Sequence, residues 1–73
     1  MNRPQHRSLL TKREREIFEL LIKDYSTREI STKLGISEKT VRNHISNTIQ
    51  KLGVSSRTQA ILELLRLKEL SIY

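Results

Sequence analysis

Residues 26–54, STREISTKLGISEKTVRNHISNTIQKLGV, decide the fold. Ser26 and Glu29 stand three apart as a capping box, in which each side chain satisfies a backbone N–H that the first helical turn leaves unpaired. Tyr25 before the cap and Ile30 four after it are placed as a hydrophobic staple. This second helix runs through Ile30 and Leu34 to Gly35, a residue that takes the left-handed conformation without a side-chain penalty. Ser37 is already the next cap, with Ile36 and Val41 forming another staple, so a third helix starts three residues after the second stops. Two helices joined in this way make a helix-turn-helix. The third helix carries Val41, Ile45, Ile49 and Leu52 inward and closes at Gly53.

Outward from this unit, Thr11 and Glu14 form a capping box that opens helix one. Its apolar stripe is Ile17, Phe18, Leu21 and Ile22, with Arg13, Glu16, Glu19 and Lys23 on the wet side. On the C-terminal side Ser56 and Gln59 open helix four. At 100° per residue Ala60, Ile61, Leu64 and Leu67 face the core, whereas Leu62 and Leu65 project with Thr58 and Glu69 on another sector. A leftover apolar sector on a small chain marks a contact with another chain. The reading is all-α, with helices at about 12–23, 27–34, 38–52 and 57–68 in one domain over 8–73. Residues 1–7 hold the only proline and no periodic apolar spacing, and are expected to be a flexible basic tail.

Composition narrows the function. The chain has 73 residues, 36% hydrophobic and 30% charged, with a net charge of +6. So short a chain makes a thin core and no deep cleft. There is no cysteine, hence neither a disulfide framework nor a thiolate metal site, and the cytoplasm is the expected compartment. The longest apolar run, Leu20 to Ile22, is far too short for a membrane span. His6 and His44 form no metal-ligating pair, Gly35 and Gly53 make no phosphate loop, and Glu14, Glu16 and Glu19 suit a helix N-terminus. No catalytic centre, cofactor, metal or small-molecule ligand is expected.

The outer face of helix three presents Lys39, Arg42, Asn43, Ser46, Asn47 and Gln50, with Lys51 on a flank and no acidic residue after Glu38. Reading the DNA major groove requires donors and acceptors of this kind on an element about 10–12 Å across. Any amphipathic helix has a polar outer face, but its position after a three-residue turn favours readout. Positive charge gathers in residues 1–23 and 37–53, where it can neutralise phosphates. His44 lies between the core stripe and the polar face, which suits packing or a phosphate contact better than catalysis. RNA recognition is disfavoured, since Phe18, Tyr25 and Tyr73 offer no stacking platform.

The segments LLTKREREIFELL, STREISTKLGISEKTVRNHISNTIQKLGV and SSRTQAILELL together resemble the LuxR/FixJ-type helix-turn-helix domain of bacterial transcription regulators over residues 9 to about 67. The resemblance implies a four-helix, winged-helix-like DNA-binding fold whose third helix enters the major groove and whose fourth pairs with a second copy. It implies base contacts by Arg42, Asn43 and Ser46, phosphate contacts by Lys39, Thr40, Asn47 and Lys51, and a homodimer interface at Thr58, Leu62, Leu65 and Glu69. The likeness is strongest to short, stand-alone spore-coat regulators, which implies control of late sporulation genes in the mother-cell cytoplasm. Most of the family carries a further N-terminal sensing domain, for which 73 residues leave no room. Activity is then expected to follow synthesis and degradation of the protein. The family pattern favours Gly near the end of helix one, where this chain has Asp24 and Tyr25, and Ala where it has Ser31. The competing expectation is a protein-interaction module that docks on RNA polymerase or another regulator through its exposed leucines.

Overall fold

The computed structural model describes residues 9–71, so the expected tail at 1–7 lies outside the described residues. Four helices follow in order, α1 (Lys12–Leu21), α2 (Thr27–Leu34), α3 (Glu38–Leu52) and α4 (Arg57–Arg66), with no strand among the described residues. Each starts at a hydroxyl cap: Thr11, Ser26, Ser37 and Ser56 accept from the N–H groups of Glu14, Glu29, Thr40 and Gln59. The first two boxes are closed by the return bonds from Thr11 N–H to Glu14 and from Ser26 N–H to Glu29. The box expected at Ser56 is not. Gln59 Oε1 accepts instead from the N–H and hydroxyl of Ser55, at 2.9 and 2.7 Å, because two donors on one residue outcompete the single N–H of the cap.

Helix ends account for the main departures from expectation. α1 stops at Leu21 and α4 at Arg66, each two residues short of its expected end. At both ends the backbone then passes through a left-handed residue other than glycine, Asp24 at φ 69° and Lys68 at φ 62°. The helix end at Lys68 is a Schellman turn: Glu69 N–H reaches back to Leu64 O at 2.8 Å and Lys68 N–H to Leu65 O at 3.0 Å. That reversal corrects the expected core. Leu67 is turned out, 39% exposed, and Leu70 folds under in its place at 6%.

The core joins Ile17 and Phe18 of α1, Ile30 of α2, Val41 and Ile45 of α3, and Ala60 and Leu64 of α4, closed by Leu10 and Leu70 from the flanking segments. Phe18 is fully buried, which contributes about 1.5–3 kcal/mol relative to leaving it in water. Thr48 is also fully buried, its hydroxyl donating to His44 O at 2.9 Å. α3 packs against each of the other three helices, so only its outer face remains for a ligand.

Candidate nucleic-acid interface

The alternation that buries Val41, Ile45 and Thr48 leaves Lys39, Arg42, Asn43, Ser46, Asn47 and Gln50 exposed along the other side of α3. Gly35 at φ 67° ends α2 and Ser37 caps α3, so the turn that sets the direction of this face is held by its own caps. Lys39, Asn43, Ser46, Asn47 and Gln50 make no side-chain bond to any described residue. Their donors and acceptors meet water, and an incoming base edge or phosphate can replace that water without breaking an internal bond.

Three of the expected contact residues are already engaged. Arg42 Nη1 lies 3.5 Å from Glu38 Oε2, one turn earlier on α3, and that same oxygen accepts a 3.0 Å bond from the Thr27 hydroxyl on α2. The Thr40 hydroxyl is within 2.8 Å of Ser37 Oγ. Lys51 points back into the fold, its ammonium donating to Glu14 Oε1 at 2.6 Å and to Leu9 O at 2.9 Å. In the free protein Lys51 is therefore first a tether between α3 and α1.

Glu14 is the buried end of that tether, 4% exposed. Burial works against its charge, but the Lys51 hydrogen bond, the Thr11 N–H and the neighbouring ammonium together outweigh it, and the carboxyl is held below its ordinary value. A second tether crosses the domain nearby. Arg15 Nη2 meets Glu69 Oε1 at 2.7 Å, and Arg15 Nη1 donates to Glu69 O.

The expected dimer sector is reshaped by the end of α4. Leu62 is 60% exposed and Thr58 is exposed beside it. Leu65, however, is half-buried against the core. Glu69 lies past the helix, turned onto Arg15 of its own chain, because the 100° wheel stops where Lys68 goes left-handed. An open groove of about 510 Å³ runs alongside, lined by Val54, Ser55, Gln59, Leu62 and Arg66 among others.

No group of three or more His, Cys, Asp or Glu among the described residues could hold a metal ion, and no described helix is long and apolar enough to cross a membrane. The Thr27–Glu38–Arg42 connection was not anticipated. Glu38 and Arg42 are four apart and legible as a helix pair, but nothing local links Thr27 to them.

A helix-turn-helix packed on two further helices, with an exposed polar face carrying Lys39 and Arg42 on its second helix, is an arrangement suited to entering a DNA groove. The sequence model described as GerE, Bacterial regulatory proteins, luxR family, matches residues 8–64, and the chain belongs to that family. It is 65% identical over 68 residues to the spore germination protein GerE of Bacillus subtilis, covering 93% of this chain and 92% of that one. The transcriptional regulatory protein DegU of Brevibacillus brevis is 51% identical over 61 residues, 84% of this chain but 25% of its own length. Among solved structures, that of the transcription factor GerE superposes with a TM-score of 0.89 at 79% identity, covering 92% of this chain and 100% of that one. The response regulator ChrA gives 0.79 at 37% identity, covering 93% of this chain and 33% of that one. The family is one of regulators rather than enzymes.

Proposed function

We propose that the protein binds specific promoter sites in double-stranded DNA as a homodimer and controls late sporulation genes from the cytoplasm of the mother cell, with RNA polymerase as a further partner. The observation that carries the DNA reading is the bare polar face of α3, whose Asn43 and Ser46 have no internal partner and whose Arg42 stands beside them. Arg42, Asn43 and Ser46 contact base edges; Lys39, Thr40 and Asn47 contact phosphates; Lys51 adds a phosphate contact with the donor that its two internal bonds leave over. Exposed Leu62 and Thr58 on α4, with the outer edge of Leu65, pair with a second copy, so that two α3 helices address half-sites about one helical turn apart. The sporulation role is supported by the 65% identity to the spore germination protein.

The test is selection from a pool of random duplexes with purified protein at moderate salt, followed by sequencing of the retained DNA. A motif in two symmetry-related copies is expected. Arg42→Ala and Asn43→Ala are expected to abolish discrimination between the selected site and random duplexes while circular dichroism stays native. Discrimination unchanged in both variants refutes the base-contact assignment. Strong retention with no motif, or no retention beside tight binding to polymerase, would turn the reading to a protein-interaction module.

A further inference from the structure

The exposed ion pair between Glu38 and Arg42 would ordinarily be worth little, because an unsupported surface pair must order two long side chains in water. Here one of the two is already ordered. Glu38 is the first residue of α3, its carboxylate in the first turn where the helix dipole favours it, and Thr27, the first residue of α2, donates its hydroxyl to Oε2 at 3.0 Å. Arg42 Nη1 stands 3.5 Å from that same oxygen. The guanidinium is thus referred, through one carboxylate oxygen, to both helices of the helix-turn-helix.

We infer that Glu38 is a positioning residue for readout, holding Arg42 toward the groove floor and away from the phosphates, so that it sets specificity at the base pair Arg42 reads. The inference rests on the proposed base contact by Arg42. Its chemistry is consistent with simultaneous tethering and readout: guanidinium has five donors in a fixed fork, and an interaction through Nη1 leaves others for the two acceptors on a guanine edge. The competing fate of an untethered arginine at a DNA surface is a phosphate contact, which adds affinity and carries no sequence information. A fixed carboxylate at the start of α3 opposes that fate twice, by attracting the guanidinium and by repelling phosphate oxygens.

The experiment takes the site recovered by selection and measures binding of four variants, Arg42→Ala, Glu38→Gln, Thr27→Val and the Glu38→Gln/Arg42→Ala double variant, to duplexes differing at single base pairs. Glu38→Gln keeps an acceptor for Thr27 and removes only the charge. It is expected to lower preference at the base pair that Arg42→Ala leaves unread by about two- to tenfold, the worth of one immobilised side chain. It is also expected to raise affinity for random duplex, since one negative charge has left the DNA face. Thr27→Val should lower the same preference by a smaller factor, and the double variant should match Arg42→Ala. If Arg42→Ala changes preference at no base pair, the base contact itself is wrong and the positioning role goes with it. If Arg42→Ala erases one preference while Glu38→Gln and Thr27→Val leave it intact, Arg42 reads DNA without positioning and only this inference is overturned. Loss at a different base pair in Glu38→Gln, persisting in the double variant, makes Glu38 a reader in its own right and also overturns it.

Discussion

Glu14 combines two roles that are usually separate. It closes the capping box with Thr11, and it is the buried anion that Lys51 of α3 neutralises. Replacing it with Gln keeps a hydrogen-bonding side chain at the cap but leaves the ammonium without its charge partner. Glu14→Gln is expected to cost about 1–2 kcal/mol at neutral pH, a fall in Tm of very roughly 4–16 °C in a domain this small. The pH dependence follows from the direction of the shift. A carboxyl held below its ordinary value stabilises the fold above the unfolded-chain value of 4.5, and that contribution is lost as pH falls through its lower folded value. Melting curves between pH 3 and 7 should therefore show wild type and Glu14→Gln well separated at pH 7 and converging in acid. Parallel curves across the range would mean that the pair contributes nothing through its charge.

Among the elements, α4 gives the clearest separation between what stabilises the monomer and what is left for a partner. Ala60 and Leu64 are fully buried, while Leu62, on the same ten-residue helix, is 60% exposed. Leu62→Glu is expected to leave helicity and Tm nearly unchanged, to give a monomer in sedimentation, and to weaken binding to a two-half-site duplex far more than to a single half-site. An unchanged sedimentation mass removes Leu62 from the interface. The end of the same helix is a stability opportunity. Lys68 adopts φ 62°, a conformation that costs an L-residue with a Cβ roughly 1–2 kcal/mol and glycine nearly nothing. Lys68→Gly should therefore raise Tm by several degrees, less the extra entropy that glycine loses on folding; a fall in Tm would mean that the lysine side chain stabilises this turn. Asp24, at φ 69°, is the parallel case at the end of α1. Aspartate tolerates the region better than lysine does, so the gain at Asp24 is expected to be smaller.

For the whole molecule, the parts legible in sequence are those fixed by neighbours three or four residues apart. The hydroxyl caps, the glycine stops at Gly35 and Gly53, and the polar face of α3 are all of this kind. What was not legible depends on pairs far apart in the chain. Lys51 and Glu14 are 37 residues apart, Arg15 and Glu69 54, and no periodicity joins them. Thr48 falls on the inner face by spacing, yet its burial depends on a back-bond to His44 that a hydrophobicity pattern does not register. Leu67 and Leu70 exchanged places because a left-handed lysine is invisible to a helical wheel. The family likeness implies contact roles for Arg42, Thr40 and Lys51, but not the internal partners with which all three begin.

The Leu9 backbone N–H lies 3.5 Å from the Glu69 carboxylate, and Arg15 holds the same residue, so the two edges of the described chain meet on one side of α1. Core packing of Ala60 and Leu64 and these ties therefore hold α4 and its end in addition to the backbone link between Leu52 and Arg57. A circular permutant that joins residue 71 to residue 9 through a short flexible linker and opens between Gly53 and Ser56 should fold and select the same DNA motif as the natural order. Loss of the motif in a folded permutant would show that the α3–α4 connection itself orients the two reading heads.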